Sequence, residues 1–145
     1  MARHISIFME NKPGRLKSIT GILYENGVNL RAISVASTGD FGVVKILVNE
    51  PEKAVEALRE NRVTVSPRDI IAVVVDDRPG GLFRLLEALS EKSVNIEDCY
   101  GFVLEDKKEA VIVLETEQEP SVKSFLEERG FRLMPDEEIY GFPGH

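Results

Sequence analysis

The chain has 145 residues, with 18 Lys and Arg against 25 Asp and Glu, a net charge of −7. That balance argues against a general binder of the nucleic-acid backbone, which needs a basic face. No apolar run is long enough to span a bilayer, so no membrane helix is expected, and the opening MARHISIFMEN lacks the apolar stretch of a secretory signal.

Cys99 is the single cysteine, which excludes an intrachain disulfide and makes a cytoplasmic location the expectation. His4, His145 and Cys99 share no ligand spacing, so no metal is expected, and no cofactor motif is found. Cys99 is expected to be a small packed residue.

His4 to Met9 alternates polar and apolar residues and reads as a strand, closed by the corner Asn11-Lys12-Pro13-Gly14. Arg15 to Asn26 places Leu16, Ile19, Ile22 and Leu23 at helical spacing, and Gly27 is a stop. Val28 to Ala36 is a half-buried strand. Ser37 to Gly42 is a turn in which Phe41 is expected to be buried, and Val43 to Val48 completes a hairpin. Glu50 and Pro51 open a second helix with Ala54, Val55 and Leu58 on one face. Arg62 to Val65 is a last short strand, and Ser66-Pro67-Arg68 reads as the boundary.

The order then repeats. Ile70 to Val75 is a strand and Asp77 to Gly81 a corner. Leu82 to Lys92 is a helix carrying Leu82, Leu85, Leu86 and Leu89. Val94 to Leu104 and Ala110 to Leu114 are strands around a turn at residues 105–108. Glu119 to Arg129 is a helix and Phe131 to Met134 a strand. Residues 136–145 form a tail in which Ile139-Tyr140 is a candidate edge strand.

The repeat is visible residue by residue. Residues 10–30, ENKPGRLKSITGILYENGVNL, align without a gap on residues 76–96, DDRPGGLFRLLEALSEKSVNI, at a constant offset of 66. That period is too long for a solenoid unit and suits a small domain. The predicted fold class is therefore α+β: two ferredoxin-like βαββαβ modules in tandem, residues 1–66 and 69–135. Each has an antiparallel sheet with helices on one face. Such sheets leave edges open, and a continuous sheet across the halves or across a homodimer is expected.

These residues resemble the ACT domain, a small ligand-binding module attached to many enzymes of amino-acid metabolism. The resemblance rests on Asn11 to Gly14 with Gly27 to Leu30, and on Asp77 to Gly80 with Ser93 to Ile96. It covers the chain to about Pro135 and is greatest to stand-alone tandem ACT proteins. It implies binding of a free amino acid at interfaces between modules, without catalysis. It also implies action through assembly or through contact with a partner enzyme. No nucleophile–base pair, metal set or phosphate loop points to an enzyme.

The residue chemistry suits such a ligand. A Pro-Gly corner that opens a helix offers unpaired amides and the positive end of the helix dipole to a carboxylate. The expected ligand residues are Asn11, Lys12, Pro13, Gly14, Arg15, Leu16, Asn29 and Leu30 in the first half. In the second they are Asp77, Arg78, Pro79, Gly80, Gly81, Leu82, Asn95 and Ile96. The amides from Gly14 to Leu16 and from Gly80 to Leu82 are the expected carboxylate donors. The oxygens of Asn11, Asp77, Asn29 and Asn95 are the expected ammonium acceptors. Two bland readings stand beside this one: turn chemistry alone at the Pro-Gly pairs, and loop capping by Asn29 and Asn95. A helix terminus contributes about 0.3–1 kcal/mol at an exposed site, whereas micromolar binding needs about 8 kcal/mol. Further groups must therefore close over the corner.

Overall fold

A computed structural model of the chain describes residues 2–104, 108–117 and 119–141. The expected turn at Glu105, Asp106 and Lys107, and the residues from Phe142 to His145, lie outside it. The chain divides into two compact units: Arg3–Arg68 with Tyr140, and Ala2 with Asp69–Ile139.

The first module runs β1 (Arg3–Glu10), α1 (Arg15–Glu25), β2 (Leu30–Thr38), β3 (Phe41–Val48), α2 (Pro51–Glu60) and β4 (Thr64–Asp69). The second repeats it as β5 (Ile71–Asp76), α3 (Gly81–Glu91), β6 (Ile96–Val103), β7 (Glu109–Thr116), α4 (Glu119–Glu128) and β8 (Arg132–Leu133). The strands form two four-stranded sheets, in the orders β2-β3-β1-β4 and β6-β7-β5-β8.

Strand alternation and helix periodicity build each core from one sheet face and two helix stripes. In the first module Ile5, Ile7 and Met9 of β1 and Val44, Ile46 and Val48 of β3 meet Ile19 and Leu23 of α1 and Ala54 and Leu58 of α2. In the second, Ile71, Val73 and Val75 of β5 and Ile112 and Leu114 of β7 meet Leu85, Leu89, Val122 and Leu126.

All four long helices end alike. The amide two residues past each C-cap reaches back to the third-last helical carbonyl: Val28 to Leu23, Val63 to Leu58, Val94 to Leu89 and Phe131 to Leu126. This closure needs a left-handed residue just before it. Gly27 and Gly130 fill two of those places, and Arg62 and Ser93, at φ 62° and 58°, fill the others.

Several expectations need correction. The strand expected over Arg62 to Val65 is β4, which runs on through Ser66-Pro67-Arg68, where the first unit ends, and Ile70 alone separates β4 from β5. Pro67 is tolerated because β4 is an edge strand. Ile139 and Tyr140 belong to a helix, α5 (Asp136–Tyr140), not to a strand. Three acidic residues stand in its first turn, where the helix dipole favours them. Phe41 is half exposed and not buried, and Cys99 is exposed and not packed. No described helix is long and apolar enough to cross a membrane.

Candidate functional site

Each corner is a short bridge between a strand end and a helix start, tied to the adjacent hairpin. In the first module the Asn11 amide donates to the Asp40 carbonyl at 2.7 Å, and Asn11 Nδ2 donates to the Gly39 carbonyl at 3.2 Å. In the second the Asp77 amide donates to the Lys108 carbonyl at 2.8 Å. The strand register sets Glu10 opposite Phe41 and Asp76 opposite Glu109, bringing Asp40 and Lys108 beside their corners.

The two helices then start in the same unusual way. Gly14 and Gly80 are the N-caps, with φ of 87° and 92°, and neither helix receives a side-chain cap. A glycine enters this left-handed region without steric cost. A capping side chain normally satisfies one first-turn amide, a contribution of about 1 kcal/mol that both helices forgo. The amides of Leu16 and Lys17, and of Leu82 and Phe83, lie in a first turn with no carbonyl behind it.

Not all the expected donors remain available. The Arg15 amide donates to the Lys12 carbonyl at 3.2 Å, and the Gly81 amide to the Arg78 carbonyl at 3.0 Å. The donor set narrows to Gly14 and Leu16 in the first corner and Gly80 and Leu82 in the second. Lys12 and Arg78 are held by nearby carboxylates: Lys12 Nζ lies 2.7 Å from Glu10 Oε2, and Arg78 Nη2 lies 3.1 Å from Asp76 Oδ2. The hydrogen bond and charge of Lys12 hold the Glu10 carboxyl below the usual glutamate range. Both pairs are exposed and contribute little to stability.

The corners differ in what surrounds them. A side-chain carbon added at Gly14 would meet nothing, whereas at Gly80 it would meet the Arg84 guanidinium, 3.4 Å away. At Gly81 it would collide with the Asp76 carbonyl oxygen, so the second corner is drawn tight against β5. Arg15 occupies the matching place in the first corner and is exposed. Beside the first corner alone, Phe8 and Phe41 stack with ring centroids 5.4 Å apart and planes 16° apart. Val74 stands where Phe8 does in the repeat.

The asparagines lie elsewhere. Asn29 follows the C-terminal end of α1, whose 11 residues place it roughly 16 Å from the corner along the helix. The Asn29 amide donates to Asn49 Oδ1 at 2.8 Å, and the Asn49 amide donates to the Asn29 carbonyl at 3.1 Å. Asn95 stands likewise after α3, with Glu117 in the position of Asn49. Within one module a single amino acid cannot reach both the corner and the asparagine. Leu30 and Ile96 are half-buried against the two cores. Leu16 and Leu82, at 37% and 41% exposure, flank the corners.

Carboxylates gather at the far end of the second sheet. Partial desolvation, then hydrogen bonds with Glu115 and Glu117, push the Glu97 carboxyl above its usual value. Burial, then Asp98 and Glu115, push the Tyr100 phenol up, so it stays a neutral donor near neutral pH.

The tandem βαββαβ plan, each module opening its first helix at an uncapped Pro-Gly corner, defines a pair of small ferredoxin-like α+β modules. Residues 1–141 match the ACT domain pair family, and the chain belongs to it. The crystal structure of a Bacteroides thetaiotaomicron protein superposes with a TM-score of 0.91 at 32% identity, over 97% of this chain and 96% of that one. The ligand-free regulatory subunit of aspartate kinase from Thermus thermophilus has the same fold, with a TM-score of 0.65 at 16% identity over 89% and 93% of the two chains. The probable acetolactate synthase small subunit of Archaeoglobus fulgidus is 22% identical over 142 residues, 88% of this chain and 85% of its own.

Proposed function

We propose that the protein is a cytoplasmic regulatory protein that binds a free amino acid at its Pro-Gly corners. The observation that carries this reading is the pair of left-handed glycine N-caps, Gly14 and Gly80, opening helices that no side chain caps. Each start leaves first-turn amides and a positive dipole end for an anion. A ligand carboxylate takes the amides of Gly14 and Leu16, and the Asn11 oxygen, outside its bond to Gly39, takes the ammonium. The ligand acts by binding one arrangement of the protein better than another; equal affinity for both would shift nothing.

Amide chemical shifts test this directly. Titration with the amino acid that binds should move the Gly14, Leu16, Gly80 and Leu82 amides most. Shifts confined to residues around Asn29 and Asn95 would overturn the assignment.

The relatives favour a second reading, in which the chain is the regulatory subunit of an amino-acid-metabolism enzyme and acts by contact, with a vestigial ligand site. The Archaeoglobus fulgidus relative carries a small-subunit name. Recovery of a stable stoichiometric enzyme partner, unaffected by amino acids, would favour this reading over the first.

A further inference from the structure

The two corners repeat one backbone but not one set of charges. In α3 the Arg84 amide donates to the Gly80 carbonyl at 3.0 Å, and in α1 the Ser18 amide donates to the Gly14 carbonyl at 2.9 Å. Arg84 and Ser18 therefore stand one turn above matching glycines. A helical side chain leans toward the N-terminus and covers the turn before its own Cα. Arg84 is long enough to use that direction. Its guanidinium lies over Gly80: the three atoms nearest a side-chain carbon added there are its Nη1, Cζ and Nη2, between 3.4 and 3.6 Å away. At Gly14 the same carbon would meet nothing within 4 Å, since Ser18 is too short to reach the corner.

A cation in that place is unfavourable by itself, because the first turn of a helix is its positive end. No carboxylate of the described residues offsets it. Asp76 is held by Arg78 at 3.1 Å, and Arg84 has no ion pair among the described residues. A guanidinium so placed is complementary to an incoming carboxylate, which accepts two parallel N–H bonds from it beside the amides of Gly80 and Leu82. The ammonium side differs in the same sense. Asp77 brings a full negative charge where Asn11 brings a neutral amide whose Nδ2 is engaged by the Gly39 carbonyl. The second corner is also the more fixed. Gly81 is buried against the Asp76 carbonyl, whereas Arg15 in the matching place is exposed. A fixed donor set loses less freedom on binding.

We propose that Arg84 is a carboxylate-binding residue of the second corner, and that a free amino acid fills this corner at a lower concentration than the first. The inference rests on the amino-acid binding proposed above. It adds an order of filling to the two sites, so that one chain responds over two concentration ranges.

Amide chemical shifts of the full chain test this, with an equimolar mixture of the twenty amino acids as the titrant. The Gly80 and Leu82 amides should reach their midpoint at a concentration at least about tenfold below that of Gly14 and Leu16, the effect of one charge-assisted pair. Arg84 is exposed, and Arg84→Ser copies the first corner. That change should raise the midpoint of the second corner at least about tenfold and leave the Gly14 and Leu16 response unchanged. Saturation of both corners together, or of the first before the second, would overturn the inference and leave amino-acid binding standing. So would an Arg84→Ser chain with the wild-type midpoint. Shifts at neither corner would overturn the inference and the binding together.

Discussion

The Asn11 amide donates to the Asp40 carbonyl at 2.7 Å, fixing the first Pro-Gly corner to the tip of the hairpin beside it. Asp77 and Lys108 repeat the bond at 2.8 Å in the second module. A helix start held from behind in this way presents its first-turn amides in one orientation. That matters for binding, because a preorganised donor set loses less freedom when a ligand arrives.

The corner glycines should matter unequally. Gly14→Ala should lower stability by about 1–2 kcal/mol through the left-handed backbone alone, since the space around it is open. Gly81→Ala forces a carbon against the Asp76 carbonyl and should cost about 3 kcal/mol, with the loss confined to the second module. Denaturant melts compare the two, and a Gly81→Ala chain as stable as wild type would contradict the packing described.

The helix ends offer the opposite experiment. Arg62 and Ser93 hold the left-handed position that Gly27 and Gly130 hold in the matching helices. A non-glycine residue there costs about 1–2 kcal/mol, while glycine loses about 0.5–1 kcal/mol more on folding elsewhere. Arg62→Gly and Ser93→Gly should therefore each stabilise the protein by about 0.5–1 kcal/mol, read as a higher midpoint of unfolding. Destabilisation by both would contradict the closure described.

The duplicated sequence made much of this legible. Helix spacing in the two aligned windows located α1 and α3, apolar spacing outside them located α2 and α4, and strand alternation gave the order of the elements along the chain. Contacts that depend on register were not legible. Phe41 follows a turn and looks like core, yet it stacks on Phe8 at half exposure because Glu10 and not an apolar residue faces it across the ladder. Cys99 looks like a small packed residue, but it lies on an outer strand. Asn29 and Asn95 stand out in the repeat as strongly as the corners do. The roughly three turns of α1 and of α3 put them at the opposite end of the module from the corners.

Glu97 gives a pH test with a defined sign. Its folded pKa lies above the value of about 4.3 expected in an unfolded chain. Its stabilising effect is therefore present below that value and is lost as pH rises through the folded pKa. Glu10, held low by Lys12, acts in the reverse sense, losing its effect as pH falls. Glu97→Gln should raise the melting temperature relative to wild type at neutral pH, with the gap closing toward pH 4. A gap that widened on acidification would contradict the assigned contacts with Glu115 and Glu117.

The most direct test of the central claim is calorimetric titration of the full chain with each of the twenty amino acids, alongside a Gly14→Val, Gly80→Val double variant that remains folded by circular dichroism. Saturable binding by one or a few amino acids, lost in the double variant, is the predicted result. No binding by any of them at millimolar concentration, or binding undiminished in the variant, would contradict it.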